Sequence, residues 1–339
     1  MTQEAAKLRV GLIGAGRMGN VHTGILKAEG LAQVVAACDL IPEKAQAKAD
    51  EWGGRAYTDH QTMLAQEELD AVYICTPTFN HATLALDCVD AGLPIFVEKP
   101  LELDLGIAGR LVRAAQEKDL LVCVAFHWRY SPGYLRAQTL IGDDPITMVS
   151  LSWYWTRPPI PWMWDRHRAG GQIVDQNIHL IDASQGLAGE IETVYAAYNS
   201  RQVNFEPEFD NWDGYALSLR YKNGAVGTCT GTYGLFPQIQ VGPIADFALR
   251  DRMVRLTNTG ASHFTPDGVE EWANGHAPFH AGVNRAFIAA VAGGDASLIT
   301  ATLGDGLRST AATLAANYSA ESGEVVNLDK FIAERAGIG

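Results

Sequence analysis

Residues 8–19 read LRVGLIGAGRMG, an apolar run followed at once by three glycines in the spacing GxGxxG. The apolar run predicts a buried β-strand, and the stretch after it predicts an amphipathic helix, about Arg17–Glu29. In this context Gly14 permits a tight turn, Gly16 lets the backbone approach a pyrophosphate, and Gly19 allows close packing of helix on strand. The phosphate would lie on amide groups at the helix N-terminus. The residues predicted to bind it are Gly14, Gly16, Arg17, Met18 and Gly19.

An acidic residue, Asp39, follows the second predicted strand, Gln33–Cys38, and stands 20 residues after Gly19. From this position a carboxylate binds the ribose hydroxyls in the adenosine half of a dinucleotide. The same carboxylate would repel a 2′-phosphate, and positions 40–45 contain no arginine to neutralise one. The sequence therefore predicts NAD rather than NADP as the cofactor. Asp39 could instead cap the helix that begins at Pro42, but the glycine loop would then lack its usual partner.

Short apolar runs alternate with amphipathic stretches through the first third of the chain. This alternation predicts βαβ units and a doubly wound, parallel sheet of the Rossmann type. The further predicted strands are Asp70–Cys75, Pro94–Val97 and Leu120–Phe126, and the further predicted helices are Pro42–Trp52, Asn80–Ala91 and Asp104–Lys118.

After residue 126 the pattern changes to strands joined by turn signals such as KNG at 222–224, which predicts an α+β domain with an open, mainly antiparallel sheet. The predicted strands are Ile146–Trp155, Thr193–Ser200, Tyr215–Tyr221, Ala225–Tyr233 and Val254–Asn258, and the predicted helices are about Gly170–Leu187, Ala281–Ala292 and Leu303–Ser322. We therefore expect a dinucleotide-binding domain over 1–126. A substrate-binding and oligomerisation domain should cover 127–339, with C-terminal helices able to pack back on the first domain.

The chain carries 26 Lys+Arg against 39 Asp+Glu, a formal charge of −13. This acidic balance disfavours binding to nucleic acid or to anionic membrane surfaces. No stretch approaches the roughly 20 apolar residues of a membrane span, and Met1–Lys7 lacks the pattern of a signal peptide. The five cysteines are scattered without metal-ligand spacing, so we expect reduced core cysteines, no metal site and a cytoplasmic protein.

The predicted strand 94–97 is followed by the triplet EKP at 98–100. Together with the glycine loop, TP…H at 76–81 and GG…D…H at 170–179, the triplet resembles the pattern of the glucose–fructose oxidoreductase / inositol dehydrogenase (Gfo/Idh/MocA) family. The resemblance covers essentially the whole chain. It implies a Rossmann domain followed by a substrate domain built on an open, mainly antiparallel sheet. It also implies NAD(P)-dependent oxidation or reduction of sugars, inositols and related polyols.

The resemblance also implies roles for individual residues. Lys99 corresponds to the family's active-site lysine, and Asp175 and His179 correspond to its helix-borne aspartate and histidine. The family often has a third glycine where this chain has Gln172. Arg129 resembles a family position close to the nicotinamide. The further residues expected around the cofactor are Thr76, Pro77, His81, Glu98, Lys99 and Arg129.

The residue types support these roles independently. Asp175 and His179 are four apart on a predicted helix and should share one face, although a core histidine or a surface pair would give the same spacing. Lys99 could be an exposed turn lysine, but it follows a strand, and ligands bind beyond the carboxyl ends of parallel strands. We expect His179 to act as general base, Lys99 to stabilise an alkoxide and Asp175 to orient a substrate hydroxyl.

Five of the eight tryptophans fall between residues 128 and 164. Trp153 and Trp155 alternate on a predicted strand and should share one sheet face, where core or subunit packing would explain them. Trp162 and Trp164 lie in a proline-rich loop, which is the candidate wall for stacking against a sugar ring. The residues predicted to bind substrate are Lys99, Trp162, Arg168, Asp175 and His179.

The leading hypothesis is an NAD-dependent dehydrogenase that oxidises a secondary hydroxyl of a sugar or cyclic polyol, inositol-like or pyranose, to a ketone. The alternative is an NAD-dependent glycoside hydrolase, which would oxidise its sugar only transiently and release no net NADH. A non-catalytic NAD-binding protein is a third hypothesis. An open apolar sheet face with Tyr215, Leu217 and Leu219 at alternate positions predicts a homodimer or homotetramer.

Overall fold

The computed structural model of the chain describes residues 7–200, 208–276 and 278–338. Its internal packing divides the chain into two units. The first unit contains the residues up to 102, then 107–127 and 280–304, and the second contains 103–106, 128–279 and the residues from 305 onward. Apart from the short segment 103–106, the chain therefore enters the second unit after His127, returns to the first at His280 and ends in the second.

The first unit is built on a six-stranded parallel sheet with the strand order β3-β2-β1-β4-β5-β6. Its strands are β1 (Leu8–Ile13), β2 (Ala32–Cys38), β3 (Arg55–Tyr57), β4 (Ala71–Ile74), β5 (Ile95–Val97) and β6 (Val122–Val124), and the helices between them are α1 (Arg17–Glu29), α2 (Pro42–Trp52), α3 (His60–Gln66), α4 (His81–Asp90) and α5 (Leu105–Glu117). Strands β4, β5 and β6 are buried at every position, because helices cover both faces of a parallel sheet. The predicted Rossmann sheet is confirmed.

Every element predicted in this unit is present, with its ends within two residues of the prediction. Strand β3 and helix α3 were not predicted. The strand is three residues long and only partly buried, so it carries no apolar run to reveal it.

The second unit is built on a nine-stranded sheet with the order β14-β13-β12-β11-β7-β10-β9-β8-β15. In chain order its first elements are α6 (Pro132–Ile141), β7 (Met148–Tyr154), α7 (Arg166–Ala169), α8 (Gln172–Asp175), α9 (Ile178–Ala188), β8 (Ile191–Asn199), β9 (Gly214–Tyr221), β10 (Val226–Thr232), β11 (Val241–Ala248), β12 (Met253–Thr257), β13 (Gly260–Thr265) and β14 (Gly268–Ala273). Helix α10 (Ala281–Val291) falls in the first unit, and α11 (Leu303–Ser322), β15 (Val326–Asn327) and α12 (Leu328–Ala336) close the chain. Among the described strands of this sheet, only β7 and β10 pair in parallel, so the predicted mainly antiparallel sheet is confirmed.

The sheet face assigned to oligomerisation was predicted wrongly. Tyr215, Leu217 and Leu219 of β9 are buried within the single chain, because helices of the same unit cover this face. The hydroxyl of Tyr221, on the same face, donates a hydrogen bond to Ser184 of α9 at 2.9 Å. The side chains left open on β9 point the other way and include Arg220.

The predicted helix over 170–187 is also wrong as a continuous element. It consists of α8 and α9 with a break at residues 176–177, where the Asn177 N–H bonds the carbonyl oxygen of Gln172 at 3.0 Å, five residues back. The side-chain amide of Asn177, which is fully buried, donates to the Tyr215 hydroxyl and, at 3.4 Å, to the carbonyl oxygen of Thr230. These contacts with two strands hold the chain at the break.

Two general expectations can be compared with the described residues. All five cysteines are buried as thiols, which confirms that they are core residues. Within the described parts of the chain, no helix combines the length and the apolar character needed to cross a membrane.

Candidate cofactor site and active-site residues

The three glycines of the loop after β1 have different surroundings. Gly14 has a φ of +97°, and a Cβ there would lie 2.6 Å from the carbonyl group of Cys75. A Cβ on Gly19 would lie 2.2 Å from the carbonyl oxygen of Gly14, so only glycine lets the helix start against the loop. A Cβ on Gly16 would meet no described atom within 4 Å, so the loop is open to a ligand on that side.

Helix α1 begins directly at this open side. Its N-cap residue is Gly16, which has no side chain with which to bond the amides of the first turn. The first amide groups of a helix have no acceptors within it, and the helix dipole makes this end positive. The first turn contains no acidic residue, so nothing on the helix itself competes with a bound anion.

Asp39, at the end of β2, is tied to this loop. Its carboxylate accepts the N–H of Ala15 at 2.9 Å through one oxygen and the N–H of Ile41 at 2.9 Å through the other. The capping alternative therefore does not describe Asp39, because α2 has Ile41 at its N-cap without a side-chain bond. Each carboxylate oxygen has two acceptor positions, so both keep one for a ligand hydroxyl.

The loop after β4 is held by His81, which is buried. Its Nδ1 lies 2.7 Å from the carbonyl oxygen of Pro100, and its Nε2 lies 2.8 Å from the carbonyl oxygen of Thr76. Burial lowers the pKa of His81. Because both ring nitrogens face backbone carbonyls, His81 fastens the 76–81 loop to the segment after β5. The predicted contact of His81 with the cofactor stays a prediction.

Glu98 and Lys99 follow β5, and the peptide bond between Lys99 and Pro100 is cis. The buried Glu98 carboxylate lies 2.8 Å from Nε2 of His22 and accepts the backbone N–H of Lys99 at 3.1 Å. Burial raises the pKa of Glu98, but the hydrogen bond from His22 and the positive charge of Lys99 outweigh it and bring the pKa to about 2. The side chain of Lys99 is half-buried.

In the second unit, Asp175 and His179 are both buried and lie on opposite sides of the break between α8 and α9. Before α8, Gly170 and Gly171 have φ values of +77° and +85°, whereas Gln172 is an ordinary first helical residue. A third glycine is therefore not required by the backbone of this turn.

Arg129 binds two carboxylates of its own unit. Its Nε and Nη2 each donate to Asp182 at 2.8 Å, and Nη2 also reaches Asp305 at 3.1 Å. Asp182 is fully buried, so this bidentate pair compensates a charge that has no access to water. The guanidinium is thus engaged within the protein, and its predicted contact with the cofactor stays a prediction.

The aromatic loop has a short 3₁₀ turn, Pro161–Trp164, with Trp162 and Trp164 half-buried. The indole N–H of Trp164 donates to the carbonyl oxygen of Pro158 at 2.7 Å, and the guanidinium of Arg157 lies 4.3 Å from the centre of its ring. Arg157 therefore covers one face of Trp164. Arg168 is exposed on α7.

Sequence profiles of one family match both parts of the chain. The profile described as "Oxidoreductase family, NAD-binding Rossmann fold" matches residues 8–126, and the "GFO/IDH/MocA C-terminal domain" matches residues 137–239. The chain belongs to the GFO/IDH/MocA family. It is accordingly an NAD-dependent oxidoreductase.

Members of the GFO/IDH/MocA family with assigned names resemble it over most of its length. An inositol 2-dehydrogenase of Rhizobium meliloti is 28% identical over 297 residues, covering 84% of this chain and 88% of that protein. A myo-inositol 2-dehydrogenase of Thermotoga maritima is 27% identical over 262 residues, covering 74% and 78%. The WlbA dehydrogenase of Bordetella pertussis, solved in complex with NADH and UDP-GlcNAcA, is 26% identical, with a TM-score of 0.81 and coverage of 95% and 98%.

The residues of the chain described here fit NAD. The open side of Gly16 and the first turn of α1 suit a pyrophosphate, and the two remaining acceptor positions of Asp39 suit the adenosine ribose. The strand order places these groups and Lys99 at the carboxyl ends of β1, β2 and β5, where ligands of doubly wound sheets bind.

Sequence reasoning missed three polar residues of the first unit: His22, His280 and Asn284. His22 is fully buried on α1, and its ring lies 5.7 Å from the ring of His280. Burial lowers the pKa of His280 to about 4. A histidine three residues after Gly19 was the available signal, because that spacing turns it toward the sheet rather than toward water.

Proposed function

We propose that the protein oxidises a secondary hydroxyl of a cyclic polyol or sugar to a ketone with NAD⁺ as the hydride acceptor. The observation that carries this proposal is the similarity to inositol 2-dehydrogenases over 84% of the chain. The glycine loop and Asp39 support it, since they provide for the dinucleotide within one unit.

Bound NAD⁺ supplies the acceptor for the hydride at its nicotinamide ring. The amides that follow Gly16 in the first turn of α1 would hold the pyrophosphate, and Asp39 would hold the adenosine ribose. The carboxylate of Asp39 has no arginine beside it at positions 40–45, which supports NAD over NADP.

The protein's own task is to move the hydroxyl proton and to stabilise the oxygen that loses it. We assign His179 as general base, because histidine exchanges protons near neutral pH. We assign the ammonium of Lys99 to the developing alkoxide, where a fixed positive charge lowers the barrier. Asp175 would accept a hydrogen bond from a neighbouring hydroxyl. Reversed roles for Lys99 and His179 remain the alternative.

Two further residues belong to the substrate proposal. Trp162, half-buried in its 3₁₀ turn, would stack on the C–H face of the ring, and the exposed Arg168 would bond its hydroxyls. Trp164 is less suited to stacking, since Arg157 already covers one of its faces.

The alternative of an NAD-dependent glycoside hydrolase is not favoured, because the named relatives described above are dehydrogenases. A panel of inositols, sugars and aryl glycosides, assayed with NAD⁺, tests the proposal. A dehydrogenase forms one NADH for each ketone. Glycoside cleavage without net NADH would support the alternative, and no reaction with any polyol or sugar would refute the proposal.

We further propose a cytoplasmic homodimer or homotetramer. The buried thiols support a reducing compartment. The sheet face opposite Tyr215 supports assembly, because Tyr195, Val226 and Met148 are exposed on the strands at 44%, 49% and 38%. Light scattering should give a multiple of the chain mass of 36.6 kDa, and the chain mass itself at all concentrations would contradict assembly.

A further inference from the structure

A chain of buried hydrogen bonds in the first unit ends at the backbone of Lys99. It begins at Asn284 of α10, whose side-chain nitrogen lies 2.7 Å from the carbonyl oxygen of His280 and 2.9 Å from Nδ1 of His22. The side-chain oxygen of Asn284 is further from Nδ1, at 3.3 Å. Because an amide nitrogen only donates, Nδ1 of His22 is an acceptor here.

This arrangement decides where the proton of His22 lies. With Nδ1 accepting, the ring carries its hydrogen on Nε2 and donates it to Glu98 over 2.8 Å. Both side chains are buried, with 0% and 6% of their surfaces exposed. The other oxygen of Glu98 is therefore turned in a fixed direction, and it accepts the backbone N–H of Lys99 at 3.1 Å.

The residue after Lys99 is fixed from another side. The Pro100 carbonyl oxygen lies 2.7 Å from Nδ1 of His81 on α4. The backbone N–H of Lys99 is thus held by Glu98, which His22 of α1 orients. The carbonyl oxygen of the next residue, Pro100, is held by His81 of α4. The backbone that carries the half-buried side chain of Lys99 is therefore fixed on both sides.

We propose that His22 is a positioning residue for Lys99. By orienting the Glu98 carboxylate, it fixes the backbone from which the lysine ammonium projects. The inference rests on the proposed function, in which that ammonium faces the reacting oxygen. A displacement of about 1 Å in a catalytic group can cost on the order of 10²-fold in rate.

The test is a double-mutant cycle between His22→Leu and Lys99→Met. His22→Leu should lower kcat about 10²-fold and leave the dissociation constant for NAD⁺ unchanged. In the Lys99→Met background it should cause no further loss, because its effect passes through Lys99. His22→Gln, which offers an amide N–H near the place of Nε2, should restore most of the activity.

Two controls separate positioning from loss of structure. His60 on α3 forms a second histidine–carboxylate pair, more exposed than the first, with Nε2 2.7 Å from Asp87, so His60→Leu should leave kcat unchanged. Glu98→Gln replaces the carboxylate by an amide of the same shape. If His22→Leu does not fold, the double-mutant cycle with Lys99→Met is measured with Glu98→Gln instead. Its loss in kcat should likewise disappear in the Lys99→Met background.

The outcomes are distinct. The positioning role would be overturned if His22→Leu lowered kcat equally in the wild-type and Lys99→Met backgrounds. It would also be overturned if both His22→Leu and Glu98→Gln kept the wild-type kcat. Either result would leave the proposed function intact. A wild-type kcat in Lys99→Met would refute the proposed role of Lys99 itself, and the positioning proposal with it.

Discussion

The two units differ in what decides the place of their candidate functional residues. In the first unit the glycine loop, Asp39 and Lys99 each follow a parallel strand, so the strand order alone gathers them at one edge of the sheet. In the second unit Asp175 and His179 lie on either side of a helix break that depends on Asn177. A site built by backbone order can be derived from sequence, whereas a site built by distant side-chain contacts cannot.

The largest expected effect concerns the second unit. His179→Ala should lower kcat by about 10²–10⁴-fold, the usual range for a lost general base. NAD⁺ affinity should persist, because the glycine loop is unaltered. Rapid-mixing measurement of NADH formation gives kcat, and His263→Ala on β13 of the same unit should leave it unchanged. If His179→Ala keeps the wild-type pH profile and Lys99→Met abolishes it, the two roles are reversed.

The packing of the glycine loop can be tested within one helix. Gly19→Ala places a methyl group 2.2 Å from the carbonyl oxygen of Gly14, and overpacking of this kind costs about 1–3 kcal/mol in the free energy of unfolding. Gly24→Ala on the same helix meets no described atom within 4 Å and should raise stability by up to about 1 kcal/mol. Denaturant unfolding measures both variants. Equal stabilities would show that the loop does not depend on close contact at Gly19.

The helix break can be tested at the buried contact that holds it. Asn177→Ala leaves the Tyr215 hydroxyl without its donor in a buried place, which should cost about 1–3 kcal/mol in unfolding free energy. If the break orients Asp175 and His179, kcat should fall as well. Asn223 lies in the turn between β9 and β10, and its side chain donates a hydrogen bond to the carbonyl oxygen of Ala188. Asn223→Ala loses this bond and should leave kcat unchanged. Unchanged kcat in Asn177→Ala would separate the break from the chemistry.

The smallest effect concerns cofactor choice in the first unit. Asp39→Ala combined with Leu40→Arg should shift the preference from NAD⁺ toward NADP⁺ by about tenfold, the equivalent of one charged contact of about 1.4 kcal/mol. Leu40 is 87% exposed, so the new side chain needs no repacking. The ratio of kcat/KM for the two cofactors measures the shift. Efficient use of NADP⁺ by the unmodified protein would show that Asp39 does not select the cofactor.

The sequence predicted the first unit closely because its signals are local. A glycine loop, an apolar run and an acidic residue at a set spacing each act through the backbone, so β1, α1 and α2 begin and end as predicted. The predicted site lacked His22, whose proposed role depends on Glu98, a partner 76 residues away. Such pairs become visible only when the sheet order is known.

The second unit was predicted less well because the sequence does not show which elements pack against each sheet face or helix. The alternation in β9 was correct, but alternation does not tell which face the chain itself covers. The spacing of Asp175 and His179 fits a continuous helix equally well, and Asn177, which holds the break, makes its contacts with strands 38 and 53 residues further along the chain.

We propose that the loop after β1 forms an NAD site through its backbone. Calorimetric titration of NAD⁺ into the wild-type protein and Gly16→Ala tests it most directly, because a Cβ on Gly16 meets no described atom within 4 Å and fills only the space assigned to the pyrophosphate. We expect one NAD⁺ per chain in the wild-type protein. Gly16→Ala should unfold at the same temperature and bind NAD⁺ far more weakly. Unchanged NAD⁺ affinity in Gly16→Ala, or no NAD⁺ binding by the wild-type protein, would contradict the claim.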